Sequence, residues 1–203
     1  MSDRTEPSDG TEPSDLPAAV QAALTRAEAA GFKLSSEPGV GALLAALAAS
    51  VRQRGHILEL GTGAGVGLAW LVSGLGTRTD IEVITVDIDA DLQSATRAAG
   101  WPPYVRFDQG DGAVRAGQLG RFDLIFADAQ GGKTVGLDQT IGALSPGGVL
   151  VVDDMDLARH DDPELREALS RVRAQLLQDR RLVCAELTYS SGVILAARRR
   201  DAD

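Results

Sequence analysis

The amino-acid sequence predicts an α/β fold with a mostly parallel sheet. After Gly55, seven short apolar runs alternate with stretches of helical spacing, which is the pattern of a parallel sheet connected by helices. The central runs are apolar throughout, as strands covered on both faces require. The last two runs are separated only by the sequence TYSS, so they must form a hairpin that gives the sheet an antiparallel strand.

Length and composition indicate one well-packed domain. With 203 residues the chain is long enough for one well-packed domain and short for two, and its 44% hydrophobic content suits a globular core. Its net charge of −9 argues against a nucleic-acid partner, since a phosphate backbone needs a basic surface. One cysteine excludes an internal disulfide framework, and no early apolar run or stretch of about 18 apolar residues is present. We therefore expect a cytoplasmic protein without a membrane partner.

The N-terminal region precedes the alternating pattern. Residues 1–15 are polar and contain TEPSD twice, so we predict a disordered tail followed by a single domain over 16–203. Two helices are expected within 16–53. The second should start near the sequence SSEPG, with a serine as its capping residue and Pro38 in its first turn.

The α/β core is expected over residues 56–198. Its predicted strands are HILEL, IEVITV, YVRF, FDLIFA, GGVLVV, RLVCAEL and GVILAAR. Its predicted helices cover 64–74, 89–99, 111–118, 134–144 and 162–178.

A glycine-rich turn follows the first predicted strand, in the sequence LELGTGAGVG. In open α/β sheets, ligands bind beyond the carboxyl ends of the strands, and glycines let the backbone approach a ligand closely. The dinucleotide fingerprint would need a third glycine where Val66 stands, so the register differs from that motif. The candidate cofactor-binding residues of this turn are Glu59, Gly61, Thr62, Gly63 and Gly65.

Carboxylates also end the second and third strands. Asp87 is placed to accept hydrogen bonds from both hydroxyls of a ribose, whereas a helix-capping role suits Asp89 better. Asp111 either accepts from an adenine amino group or caps the next helix, and both interpretations stay open. Ile88 and Gly112 complete the cofactor-binding candidates on these strand ends.

Together these motifs resemble class I S-adenosylmethionine-dependent methyltransferases. The matching segments are LELGTGAG, VITVDID, GDG, FDLIFADA and LSPGGVLVVDD, and the resemblance covers roughly residues 35–198. It is strongest to the small catechol and caffeoyl-CoA-type O-methyltransferases, whose fold also begins with helices. The resemblance implies a Rossmann-like seven-stranded sheet, S-adenosylmethionine as cofactor, and in-line methyl transfer to a small hydroxylated acceptor. A homodimer is a further expectation.

The sequence ADAQGGKT, residues 127–134, resembles the end of a phosphate-binding loop. Such a loop would need glycine in place of Ala127, and Asp128 would repel the phosphate inside it. We therefore predict that Asp128 ends the fourth strand facing the cleft and that QGGKT is a mobile loop. Asp128 and Lys133 are the candidate catalytic residues, with Lys133 orienting or deprotonating the acceptor; a merely solvated lysine is the alternative.

The resemblance also implies a divalent metal, Mg²⁺ or another oxygen-binding cation, that lowers the pKa of the acceptor hydroxyl. The family's ligands are an Asp after the fourth strand and an Asp-Asn pair after the fifth, which correspond to Asp128, Asp153 and Asp154. Two departures are notable. Asp154 replaces the family's Asn, and Gly131 stands where these enzymes carry a catalytic lysine. Capping of a turn is the alternative role for the aspartate pair.

Acceptor recognition is only weakly marked in the sequence. Tyr189 and Ser190 in the final hairpin are candidates for an acceptor pocket, and residues 155–164 with His160 are a candidate lid. Ser35, Ser36 and Glu37 correspond to the segment that covers the cofactor in the resembling enzymes, although helix capping also explains them.

Two other functions share this fold. A nicotinamide-dependent oxidoreductase is disfavoured by the glycine register and by the terminal hairpin. A non-catalytic cofactor-binding protein stays open because of Gly131 and the 4% aromatic content.

Overall fold

The structure, a computed structural model, describes residues 16–201, so the predicted disordered tail lies outside the described residues. The described chain forms one seven-stranded sheet flanked by helices. The strands are β1 His56–Leu60, β2 Glu82–Asp87, β3 Val105–Gln109, β4 Phe122–Ala127, β5 Leu144–Val152, β6 Leu182–Leu187 and β7 Val193–Arg198. The helices are α1 Ala18–Ala29, α2 Pro38–Ser50, α3 Val66–Leu75, α4 Ala90–Arg97, α5 Gly112–Gln118, α6 Gln130–Lys133, α7 Leu137–Gly142 and α8 Pro163–Gln178, with a 3-10 helix at Leu157–Arg159.

The sheet has the order β3-β2-β1-β4-β5-β7-β6. Strands β1 to β5 pair with one another in parallel, and β7 is antiparallel to both β5 and β6. The predicted fold class, including the terminal hairpin, is confirmed. The strand order reverses between β1 and β4, and this reversal opens a crevice at the carboxyl ends of the two strands.

Two apolar cores lie on opposite faces of the sheet. Helices α1, α2 and α3 pack on one face, and α5, α7 and α8 pack on the other. Side chains alternate along β1, so Ile57 belongs to the first core while Leu58 and Leu60 belong to the second. Burial on both faces explains why these strands are apolar at nearly every position.

Two local predictions differ from the structure. Helix α2 begins at Pro38, and its N-cap is Glu37 rather than a serine, because proline with its fixed φ and missing N–H already suits the first helical position. The segment predicted as a loop after β4 contains the one-turn helix α6, which Gly131 and Gly132 interrupt with non-helical φ/ψ angles. No helix within 16–201 combines the length and the apolarity needed to span a bilayer.

Candidate active site

A cavity of about 620 Å³ lies at the crevice between β1 and β4. The turn after β1, the end of β2, the loops after β4 and β5, and the segment 32–37 all contribute to its wall. The predicted site residues that line it are Gly61, Thr62, Gly63, Asp87, Asp128, Lys133, Asp153 and Asp154. Residues far apart in sequence therefore meet where the parallel sheet places its strand ends.

The turn after β1 requires glycine at its closest approach to the N-terminal segment. Gly63 has a φ of +50°, and a Cβ placed there would lie 2.8 Å from the ring of Phe32. The Gly63 N–H donates to the Asp87 carboxylate over 2.8 Å, which joins the turn to the end of β2. The shape of this part of the cavity thus depends on backbone that a side chain would displace.

Most N–H groups of the turn are already used inside the protein. Gly61 and Thr62 donate to the Val86 carbonyl, Gly63 to Asp87, and Gly65 to the Thr62 carbonyl. An anionic group is better placed at the first turn of α3, where the N-cap Gly65 offers no side-chain capping hydrogen bond and Val66 and Gly67 line the cavity. The free N–H groups of a helix N-terminus are suited to bind a carboxylate.

Asp87 retains hydrogen-bonding capacity toward the cavity. Its two oxygens accept from the N–H groups of Gly63 and Asp89, over 2.8 and 2.9 Å. A carboxylate has about four lone-pair sites, so two remain for ribose hydroxyls. The capping role falls on Asp89, whose side chain accepts from the N–H groups at the start of α4.

Glu59 lies beneath the cavity rather than in its wall. Its carboxyl group is fully buried on the α3 side of the sheet, where the missing Cβ of Gly67 leaves room for it. The Thr85 hydroxyl donates to Oε2 over 2.5 Å, and Oε1 has no hydrogen-bond partner among the described residues. Burial raises the pKa of Glu59 to about 8 despite the opposing hydrogen bond from Thr85.

Besides Glu59 and Gly65, three predicted cofactor residues lie outside the cavity wall that the described residues form. Asp111 accepts from the Ala113 N–H over 2.9 Å and caps α5, which is one of the two roles that the sequence allows. Gly112 packs against the Gly131 carbonyl, and Ile88 is largely exposed. Their contacts with the cofactor stay a prediction.

Two nearly buried carboxylates follow β4 and β5. Burial raises the pKa of Asp128 well above its ordinary value, the charge of Asp153 raises it further, and Lys133 opposes the rise. Burial is also the main cause that raises the pKa of Asp153, whereas its hydrogen bond from the Ser191 hydroxyl acts in the opposite direction. The two groups form a strongly perturbed acidic pair in the cavity, which is typical of functional sites.

Lys133 faces these carboxylates. Its side chain is 7% exposed, and its Nζ lies 3.5 Å from Asp154 Oδ2 and 4.0 Å from Asp128 Oδ1. The same atom donates to the Asp153 carbonyl over 3.2 Å. The solvated-lysine alternative is therefore wrong, and the phosphate-loop interpretation has no support, because the ammonium is directed at carboxylates.

The predicted metal site of Asp128, Asp153 and Asp154 is not formed in the described part of the chain, where no group of three or more potential ligand side chains could hold a metal ion. Strand β5 does end at Val152, as convergence of the aspartate pair requires. However, Asp153 Oδ1 accepts from Ser191 and from the Asp154 N–H. The Lys133 ammonium lies close to the other two carboxylates, so these residues do not fit a divalent cation.

Ser191 and Arg159 are two polar residues of the cavity wall that sequence reasoning did not single out. Ser191 follows the predicted Tyr189 and Ser190, but it is Ser191 that lines the cavity. Arg159, within the predicted lid, forms an ion pair with Glu37 and donates to the Ser190 carbonyl over 2.9 Å. His160 lies outside the described wall, with its Nε2 2.9 Å from the Asp154 carbonyl. In the sequence, the TYSS turn was the signal that could have indicated Ser191, and a basic residue within the acidic candidate lid was the signal that could have indicated Arg159.

Comparisons with known proteins identify the family. Residues 58–155 match the family described as "Methyltransferase domain". A protein of Mycobacterium ulcerans to which O-methyltransferase activity is ascribed is 34% identical over 177 residues, covering 79% of this chain and 76% of that protein. The cofactor-bound structure of Rv0187 from MTB is 25% identical, with a TM-score of 0.79 over 92% of each chain. The O-methyltransferase TomG from Streptomyces achromogenes, solved in complex with SAM, is 22% identical, with a TM-score of 0.75 over 91% of each chain. Given this fold and this similarity, the chain belongs to the family of S-adenosylmethionine-dependent O-methyltransferases.

Proposed function

We propose that this protein transfers the methyl group of S-adenosylmethionine to a hydroxyl oxygen of a small-molecule acceptor inside the cavity. The observation that carries the proposal is the meeting of the glycine turn and Asp87 with Asp128 and Lys133 in one cavity. Its volume falls in the usual range of about 300–1,000 Å³ for small-molecule sites. Two structural relatives are described as cofactor-bound or SAM-bound, which supports the same cofactor here.

The charge of the cavity suits this cofactor. Six acidic and three basic side chains line it, so the wall is acidic overall. S-adenosylmethionine carries a positive sulfonium and an ammonium beside a single carboxylate, and electrostatic complementarity favours such a ligand over a pyrophosphate. We place its ribose at Asp87 and its carboxylate at the first turn of α3.

The reaction requires mainly alignment. The acceptor hydroxyl loses its proton to water, the oxygen forms a bond to the methyl carbon, and the carbon–sulfur bond breaks with its electron pair on sulfur. Holding oxygen, carbon and sulfur in line inside the cavity supplies much of the rate enhancement. We place the acceptor oxygen beside Asp128 and Lys133, because these side chains lie at the strand ends next to the glycine turn.

Calorimetric titration with S-adenosylmethionine, S-adenosylhomocysteine and NADH tests the cofactor. We expect both sulfur compounds to bind and NADH not to bind. Asp87→Asn should weaken the binding of S-adenosylmethionine by about ten- to a hundredfold, because hydrogen bonds to a charged group contribute about 1.5–3 kcal/mol.

Asp89→Asn is the matched control, since Asp89 lines the same cavity but caps α4, and asparagine caps a helix about as well as aspartate. The affinity of Asp89→Asn for S-adenosylmethionine should stay within about threefold of the wild type, because the capping of α4 is kept. Tight binding of NADH, or equal losses in the two variants, would contradict the proposal. Transfer of a labelled methyl group to a panel of hydroxylated compounds then tests the reaction itself.

A further inference from the structure

The carboxylates beyond β4 and β5 already have a cation from the protein. Lys133 Nζ lies 3.5 Å from Asp154 Oδ2 and 4.0 Å from Asp128 Oδ1, with a hydrogen bond to the Asp153 carbonyl. A buried ammonium is tolerated in a protein interior only when it is paired and hydrogen-bonded. The ammonium of Lys133 therefore serves as an internal counter-ion for the carboxylates of Asp154 and Asp128.

The backbone around Lys133 holds this arrangement in place. Gly132 has a φ of +97°, and a Cβ placed there would lie 2.3 Å from Leu60 Cδ1. Its N–H donates to the Val135 carbonyl over 2.7 Å, and its carbonyl accepts from the Thr140 hydroxyl over 2.8 Å. This glycine turn directs the following lysine inward, so the position of the ammonium is specified by the fold.

A divalent ion and this ammonium compete for the same carboxylates. Mg²⁺ requires oxygen ligands at about 2.0–2.1 Å in near-octahedral geometry. Asp128 and Asp154 would have to turn from the ammonium to a second cation close to it, and Asp153 would have to give up its bond from Ser191. Repulsion between the two cations opposes that change.

We propose that the ammonium of Lys133 occupies the cation position of this site and serves the acceptor oxygen in place of a divalent metal, so that methyl transfer here needs no metal. The inference deepens the proposed function and rests on it. The acceptor O–H bond breaks with its proton passing to water, and the nearby ammonium stabilises the resulting oxyanion. The oxyanion then takes the methyl group, while the carbon–sulfur electron pair stays on sulfur.

The replacement of a metal ion by the Lys133 ammonium determines which class of acceptor the site can use. A metal ion binds two neighbouring acceptor oxygens through adjacent coordination positions, whereas an ammonium donates separate hydrogen bonds. A single ionisable hydroxyl is therefore sufficient on the acceptor, and a vicinal diol is not required.

Titration of the full chain with Mn²⁺, followed by the electron paramagnetic resonance signal of free Mn²⁺, tests the cation position. We expect the wild type to leave the signal unchanged at millimolar Mn²⁺. Lys133→Ala should bind one Mn²⁺ per chain with an affinity higher by on the order of a hundredfold, because removal of a neighbouring positive charge unmasks the carboxylates. Asp128→Asn in the Lys133→Ala background should abolish this gain.

Calorimetry with S-adenosylhomocysteine on the same samples separates this inference from the proposed function, since failure of the cofactor to bind would overturn the latter alone. Stoichiometric Mn²⁺ binding by the wild type, lost on Asp128→Asn, would overturn the inference. An unchanged Mn²⁺ signal with both the wild type and Lys133→Ala would overturn it as well, because the carboxylates would then form no cation position.

Discussion

The two halves of the cavity are organised by different forces. Around the glycine turn, hydrogen bonds to backbone carbonyls and to the Asp87 carboxylate fix the backbone. A network of Gln93, Thr62, Thr85 and Glu59 supports it from below. Around the ends of β4 and β5, the ionic contacts of Lys133 with carboxylates determine the arrangement. The first half is specified by backbone shape and the second by charge. Substitutions that change the backbone shape should therefore affect cofactor binding, whereas substitutions that remove a charge should affect turnover.

Removal of the Lys133 ammonium should have the largest effect on turnover. Lys133→Ala is expected to lower kcat by about 10²–10³-fold, the loss that removal of one preorganised electrostatic group in an active site typically causes. Affinity for S-adenosylhomocysteine should stay within about threefold, because the half around the glycine turn, where we propose that the cofactor binds (the cofactor half), is held by its own hydrogen bonds. Steady-state methyl transfer and calorimetry measure the two quantities.

Lys33→Ala is the control for this prediction. Lys33 is the other lysine of the chain and is an exposed residue at the mouth of the same cavity. Its removal should leave kcat almost unchanged. Equal losses of kcat in the two variants would mean that general charge in the cavity, and not the position of Lys133, supports turnover.

The buried carboxyl group of the cofactor half should make stability depend on pH. The pKa of Glu59 is raised from an ordinary 4.5 to about 8, so the folded protein binds more protons than the unfolded chain between these values. The stability that the protonated group provides is fully present below pH 4.5 and is lost as the pH rises toward 8. The difference in unfolding free energy between the wild type and Glu59→Gln should therefore fall by about 1.4 kcal/mol per pH unit at most, a few kcal/mol in all.

Urea unfolding of the two proteins at pH 5, 6.5 and 8 measures this difference directly. Glu167→Gln is the matched control, because Glu167 is exposed and forms only a surface pair with Arg171. The unfolding free energy of Glu167→Gln should therefore change with pH in the same way as that of the wild type. A constant difference between the wild type and Glu59→Gln across the range would show that Glu59 is ionised in the folded protein.

A change of backbone shape in the cofactor half should weaken binding without touching the charges. Gly63→Ala introduces a Cβ within 2.8 Å of the Phe32 ring at a φ of +50°, so the ring or the turn must shift. We expect cofactor affinity to fall by about tenfold, since a left-handed conformation costs a residue with a Cβ about 1–2 kcal/mol. Calorimetry measures the cofactor affinity of this variant and of the control Gly142→Ala, where a Cβ meets nothing within 4 Å. The comparison shows whether the loss depends on the position of the added methyl group. Equal affinities in both variants would mean that the turn does not need its present shape.

The sequence predicts these two halves unequally. The strands, their parallel order and the glycine turn follow from periodicity and from the few residue types that such a turn accepts. The burial of Glu59 does not follow, because the residue that faces it, Gly67, lies in the first turn of α3 and leaves space that only the packed helix reveals. The role of Lys133 is hidden for a similar reason. Its ammonium meets Asp153 and Asp154 across two neighbouring strands, and the turn at Gly132 that directs it there resembles an unrelated phosphate loop in the sequence.

The ion pair at the cavity mouth should have the smallest effect. Arg159 bonds to Glu37 and to the Ser190 carbonyl, so it joins three segments at the mouth of the cavity. Its guanidinium holds the pKa of Glu37 below the ordinary value. Arg159→Ala should raise the KM for the acceptor by about two- to fivefold with little change in kcat, because exposed pairs contribute only about 0–1 kcal/mol. Arg171→Ala, which breaks an exposed pair on α8, should leave both constants unchanged. A fall in kcat with a constant KM would instead place Arg159 with Lys133 in the half of the cavity that is organised by charge.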